Sequence, residues 1–172
     1  MRVIGGEFRS RILKTVSGLN TRPTPDRLRE ALFNILAQRT NGAEFLDAYA
    51  GTGAVGIEAV SRGARRAIFI ENNRTAVDVL RHNLASLQIE KRTEVFVSKT
   101  IPLLKRLSAD IAFLDPPYEL ESEYALALSA IQAPFVLVQH SSRFVLQEEY
   151  GRLRRVRVLK QGDNSISFYE TL

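Results

Sequence analysis

The chain has no cysteine, no tryptophan and a single methionine among its 172 residues. Without thiols it can have no disulfide, no thiolate zinc site and no cysteine nucleophile, which fits a cytoplasmic protein. Histidine is nearly absent too. His82 and His140 lie far apart, so no metal site is expected. No stretch approaches the roughly 18 consecutive apolar residues of a membrane span. The start, Met1-Arg2-Val3-Ile4-Gly5-Gly6, lacks the apolar segment of a secretory signal. Internal repeats, low-complexity tracts and an interdomain linker are also missing. With 45% hydrophobic residues, the length suits one domain, 1–172, with a substantial core.

Acidic residues are scarce where basic ones are dense. The net charge is +5, and residues 1–29 set Arg2, Arg9, Arg11, Lys14, Arg22, Arg27 and Arg29 against only Glu7 and Asp26. A second cluster, Arg152, Arg154, Arg155, Arg157 and Lys160, lies near the C-terminus. Charge concentrated in this way is the footprint of a polyanion-binding surface. The plain alternative is a solvated surface that keeps the protein soluble.

Residues 1–22 read as a basic N-terminal arm, a β-hairpin with strands around Gly5-Gly6 and Arg9-Ser10. Thr24 is placed to cap a helix, with Pro25 at its first position and Asp26 at its positive end. Leu28, Ala31, Leu32, Ile35 and Leu36 give that helix one apolar stripe, ending before Asn41-Gly42. The core, 23–172, then alternates strand and helix. Strands are expected at 44–48, 67–71, 93–97, 110–114 and 134–138, with helices at 54–62, 74–87, 100–107 and 122–131. Such βαβ units predict a doubly wound α/β fold with a mostly parallel sheet. Val156–Leu159 and Ile166–Tyr169 flank the turn Gln161-Gly162-Asp163-Asn164, so an antiparallel C-terminal hairpin should close a seven-stranded sheet.

Three strand ends carry chemistry. Asp115-Pro116-Pro117-Tyr118 follows the apolar run 110–114, and two prolines cannot continue a ladder because neither has an N–H to donate. The chain must leave the sheet there, delivering a carboxylate, rigid carbonyls and an aromatic ring suited to a planar base with an exocyclic amine. Asp47-Ala48-Tyr49-Ala50-Gly51-Thr52-Gly53-Ala54-Val55-Gly56 places three glycines after a strand and at the opening of a helix, as in nucleotide-binding loops. Glu71 follows Gly51 by 20 residues and ends the next strand, where an acid can accept hydrogen bonds from ribose hydroxyls. Together these predict an adenosine-containing ligand. A dinucleotide would put its pyrophosphate at the helix N-terminus. Asp47 favours S-adenosylmethionine instead, because an acid there can meet a ligand ammonium and would repel phosphates.

On these residues the chain resembles a class I S-adenosylmethionine-dependent methyltransferase, and Asp115–Tyr118 resembles the D/N-P-P-Y/F/W motif of enzymes that methylate exocyclic base amines. The stretches Arg2-Val3-Ile4-Gly5-Gly6, Thr21-Arg22-Pro23-Thr24 and Asp26-Arg27-Leu28-Arg29-Glu30-Ala31-Leu32-Phe33-Asn34-Ile35-Leu36 are similar to the RsmD family. Those bacterial enzymes methylate N2 of a guanine in 16S ribosomal RNA. The resemblance runs from residue 2 to about 170 and implies a Rossmann-like core. It also implies S-adenosyl-L-methionine as methyl donor and 16S rRNA, in a 30S subunit or assembly intermediate, as partner. A cytoplasmic monomer without metal is expected.

Carried over position by position, Asp47, Gly51, Thr52 and Gly53 would line the methionine part of the donor. Glu71 would hold its ribose, and Asn72 would also bind the donor. Asp115, Pro116, Pro117 and Tyr118 would hold the guanine. Arg2, Arg9, Arg11, Arg22, Thr24 and Arg27 would face RNA, with Arg22 and Thr24 near the mouth of the site, over donor or RNA. Many relatives place Asp or Asn near the adenine. This chain has Val97-Ser98-Lys99-Thr100, leaving the Ser98 hydroxyl or backbone groups for that edge.

Other readings remain open from the residues alone. A DNA amino-methyltransferase acting on adenine N6 or cytosine N4 would use the same tetrapeptide, although 172 residues leave no room for a separate target-recognition domain. A non-catalytic RNA-binding module and a nicotinamide-dependent oxidoreductase are the others. His140, after an apolar strand, reads as a satisfied structural group. His82 and Asn83 read as surface or capping residues, and Tyr49 as packing on either the donor or the core.

Overall fold

The computed structural model describes residues 1–17 and 24–172. Five short runs rich in β-branched and aromatic residues form parallel strands: β1 (Glu44–Ala48), β2 (Arg66–Glu71), β3 (Thr93–Val97), β4 (Ile111–Leu114) and β5 (Phe135–Ser141). β1, β2, β4 and β5 are buried almost without a break, as expected for strands covered on both faces. β6 (Glu149–Tyr150), β7 (Leu153–Gln161) and β8 (Asn164–Thr171) complete the sheet, in the order β3-β2-β1-β4-β5-β8-β7-β6. β8 runs antiparallel between β5 and β7, so the expected C-terminal hairpin inserts one strand beside the parallel set. The order reverses between β1 and β4, which puts the switch point of the sheet beside Asp47 and Asp115.

Helices cover both faces. Leu28, Leu32, Phe33 and Leu36 of α1 (Asp26–Leu36) and Val55 and Ala59 of α2 (Ala54–Ser61) pack on Phe45, Phe113 and Leu137. On the same side, Leu80, Leu84 and Leu87 of α3 (Arg74–Leu87) meet Ala67 and Phe69. Leu104 of α4 (Thr100–Leu104) and Tyr124, Ala127 and Leu128 of α5 (Glu121–Ala130) cover the alternate residues Leu46, Ile68, Ala112 and Val136 on the other face.

Four expectations are corrected. Among the described residues the sheet has eight strands, not seven, because the two-residue β6 pairs with β7. A strand that short carries no period to read. α4 ends at Leu104 rather than 107. Thr24 does not cap α1: Pro25 holds that position without a side-chain bond, and the Thr24 hydroxyl is buried against Gln139 instead. Among the described residues, the N-terminal hairpin shrinks to a single antiparallel bridge, Arg2 to Ile12. It is also docked, because Val3 and Leu13 are buried against α2 and α3. Glu58 secures it further by accepting the Ile4 and Gly5 N–H groups at 2.9 and 2.8 Å.

Candidate active site

A cavity of about 710 Å³ opens over the C-terminal ends of β1, β2, β4 and β5. Asp47, Gly51, Thr52, Glu71, Asn72 and Asp115-Pro116-Pro117-Tyr118 all line it. Residues separated by up to 71 positions are therefore neighbours, because each parallel strand ends at the same edge of the sheet.

The glycine loop owes its shape to close packing. Gly53 has φ +86°, and a Cβ there would lie 2.2 Å from Leu80 Cδ1. A Cβ on Gly56 would lie 2.4 Å from the Phe69 ring, so only glycine lets α2 sit this close to β2. Gly53 accordingly stands behind the loop rather than in the cavity lining. At Gly51 an added Cβ would meet no protein atom within 4 Å, which is the open side a ligand needs.

Glu71 ties this loop to β2. Its Oε2 accepts the Gly51 N–H at 2.7 Å, and Oε1 accepts those of Asn72 and Asn73 at 2.9 and 2.8 Å. Three backbone donors fix the carboxylate and leave part of its acceptor capacity unused. Asn73 then caps α3 by accepting from Ala76 N–H at 3.0 Å. Asp47 is buried, with Oδ2 accepting the Gly56 N–H at 2.8 Å. Burial, reinforced by the charges of Asp115 and Glu71, raises its pKa well above the usual carboxylate value. Burial also pushes Asp115 up to about 7. With Glu119, which also lines it, four carboxyl groups thus converge on the cavity of a chain that is basic overall.

Tyr118 is held by its hydroxyl, which donates to Asn164 Oδ1 at 2.9 Å and accepts from Gln139 Nε2 at 3.3 Å. Gln139 Oε1 in turn accepts from the Thr24 hydroxyl at 2.9 Å. The proline turn, β5, the β7–β8 turn and the start of α1 are joined in one chain of bonds. Tyr49, at φ +69°, also lines the cavity and donates to Glu123 Oε1 at 2.7 Å. Burial and that carboxylate raise its pKa, so the hydroxyl stays a neutral donor.

Ser98 is brought beside Glu71, donating its N–H to the Glu71 carbonyl at 3.2 Å, but it does not line the cavity. Its hydroxyl turns to the Lys99 carbonyl at 3.1 Å. Arg2, Arg9, Arg11 and Arg27 are exposed, and Arg11 Nη2 donates to the Ser86 carbonyl at 2.9 Å. Arg22 lies outside the described residues. Thr24 is buried at the cavity wall rather than on the surface. Arg29 departs furthest from a surface role, lying fully buried between Asp26 at 3.0 Å and Glu58 at 3.7 Å. In the C-terminal cluster, Arg154 pairs with Glu149 at 2.8 Å and Arg155 Nη1 donates to the Leu146 carbonyl at 2.8 Å.

Gln139, Asn83 and Glu58 were not picked out as site residues from the sequence. For Glu58 a signal existed. Ala54–Ser61 is apolar nearly all round, so its one acid had to be buried and paired. Gln139 and Asn83 carry no comparable mark, since their partners lie far away in sequence. His140, by contrast, is as expected: both ring nitrogens lie at 2.9 Å from partners, the Ser141 carbonyl and the Ser167 hydroxyl.

The family model Conserved hypothetical protein 95 matches residues 1–170. YlbH of Bacillus subtilis is 32% identical over 182 aligned positions, covering 99% of this chain and 98% of the relative. Ribosomal RNA small subunit methyltransferase D of Haemophilus influenzae is 36% identical over 134 positions, 74% of this chain and 69% of its own. The solved structure of yhhF from Escherichia coli superposes with a TM-score of 0.85 at 34% identity, covering 99% of this chain and 97% of that one. The match to the family model and the near full-length identity place the chain in the RsmD family of methyltransferases.

Proposed function

We propose that the protein transfers a methyl group from S-adenosyl-L-methionine to the exocyclic N2 amine of a guanine in 16S ribosomal RNA. The observation that carries this reading is the acidic cavity in a basic protein. Asp47, Glu71 and Asp115 surround a space that repels a pyrophosphate and attracts an ammonium and a sulfonium. Outside it, Arg2, Arg9, Arg11 and Arg27 are exposed to meet a polyanion. The volume, about 710 Å³, suits a nucleoside-sized donor with a base beside it. The relative from H. influenzae carries rRNA methylation in its name.

The donor supplies a methyl carbon made electrophilic by its sulfonium. The chain's own residues do the rest. Glu71, oriented by three backbone N–H groups, offers its remaining acceptor capacity to the ribose hydroxyls. Asp47 and the open side of Gly51 receive the methionine end. The ionised Asp115 carboxylate and the Pro116 carbonyl accept the two N–H bonds of the guanine amine, turning its lone pair toward the methyl carbon. As the N–C bond forms and the C–S bond breaks, the nitrogen becomes strongly acidic. Its proton then leaves to Asp115 or water. Tyr118, fixed by Asn164 and Gln139, stacks on a base drawn out of its RNA stack at a cost of a few kcal/mol. Arg and Lys contacts hold phosphates without choosing the base, so selection falls to RNA shape around the pocket.

The test is transfer of labelled methyl to 30S particles and to free 16S rRNA, followed by digestion to nucleosides. Label in N2-methylguanosine is expected. Label confined to adenine or cytosine would refute the assignment.

A further inference from the structure

We infer that Asn83 is a positioning residue that fastens the N-terminal segment to the glycine loop, making that segment a wall of the donor site; this rests on the cavity's reading as a methyl-donor site. Asn83 sits on the buried face of α3, only 1% exposed. A carboxamide there is costly unless its polar atoms are paired. Its Oδ1 accepts the Lys14 N–H at 2.8 Å, and its Nδ2 donates to the Lys14 carbonyl at 3.1 Å. One side chain thus pairs with both backbone groups of Lys14, as a neighbouring strand would. The second Nδ2–H goes to the carbonyl of Thr52 at 3.1 Å, between Gly51 and Gly53.

What Asn83 holds on each side matters. Thr15 and Val16, which follow Lys14, line the cavity together with Met1. Leu13 N–H donates to the Met1 carbonyl at 2.9 Å, so fixing Lys14 also fixes Met1. Arg9, Arg11 and Lys14 point outward on the same segment. The segment therefore has an inner side that encloses the donor and an outer side that meets RNA. Releasing it opens the cavity wall and frees the Thr52 carbonyl, while Tyr118 keeps its own bonds to Asn164 and Gln139.

The experiment measures affinity for S-adenosylhomocysteine, with donor KM and kcat, on full-length variants well below their melting temperatures. Asn83→Leu, similar in size but unable to bond, should weaken S-adenosylhomocysteine binding roughly tenfold or more. Donor KM should rise with it, and kcat at saturation should stay within about threefold of the parent. Leu87→Ala, a cavity in the same helix, serves as control and should lower the melting temperature without moving donor affinity. If Asn83→Leu does not fold, Asn83→Asp keeps the acceptor for Lys14 N–H but sets a carboxylate against two carbonyls. Its deficit relative to the parent should shrink as the pH falls and the carboxyl regains a proton to donate. Parent-like binding by either variant, an equal loss in Leu87→Ala, or a pH-independent Asn83→Asp deficit would overturn the inference. A parent protein that does not bind S-adenosylhomocysteine would refute the donor reading itself, a result distinct from these.

Discussion

Donor binding near neutral pH should release protons, and a defined share should come from Asp115. Burial raises this carboxyl from 3.8 to about 7, so near pH 7 roughly half of the unliganded molecules carry the proton. A bound sulfonium favours the ionised form and expels that proton. The contribution from Asp115 is therefore up to about half a proton per donor at pH 7, falling toward zero by about pH 9. Burial raises Asp47 in the same direction. Titration calorimetry in two buffers of different ionisation heat measures the total, and Asp115→Asn isolates the share. The stability sign runs the other way from an ordinary salt-bridged acid. Between about pH 4 and 7 the folded state holds a proton that the unfolded state has lost. Asp115 therefore makes the unliganded protein less stable as pH rises through that window, and has no further effect above it. Equal proton release by the parent and Asp115→Asn, or proton uptake on binding, would refute the reasoning.

Two further perturbations test other parts of the structure. Gly53→Ala must hold φ +86° with a Cβ 2.2 Å from Leu80 Cδ1, so it should cost roughly 2–5 kcal/mol in denaturant unfolding. A change below about 0.5 kcal/mol would contradict the packing described for the loop. Arg9→Ala combined with Arg27→Ala, both at exposed positions, should weaken RNA binding and lower the salt dependence by roughly one unit of log–log slope for each phosphate no longer neutralised. Donor affinity should not move.

The sequence was most informative where one residue type had one physical use. Two consecutive prolines after an apolar run can only end a strand, and Asp115 emerged at the cavity edge accordingly. The spacing from Gly51 to Glu71 became a direct bond, although the carboxylate holds backbone N–H groups as well as offering capacity to a ligand. Five parallel strands and most helices followed from apolar runs. Less legible were residues whose role depends on a distant partner. Thr24 looked like a helix cap, yet its partner is Gln139, 115 residues away. Asn83 looked like a surface amide, but it bonds to Lys14 across 69 residues. Charge misled in one place. Arg29 counts toward a basic patch in the sequence, whereas in the fold it is a buried partner of Glu58. Composition registers charge but not which side of a helix carries it.

The division of charge is the feature that joins fold to function. Parallel topology gathers three acids at one sheet edge, and the docked N-terminal segment carries exposed cations past the same opening. On the proposed function, a cationic small molecule and an anionic polymer would be drawn to adjacent places.

The most direct test of that arrangement is Asp115→Ala, with donor binding and methyl transfer to 30S particles measured on the same preparation. Donor affinity should fall by no more than about tenfold, the part due to the Asp115 charge, because Asp47, Glu71 and the glycine loop are untouched, while transfer should fall by at least about 100-fold. Near-normal transfer would contradict the assignment of Asp115 as the group that holds the target amine.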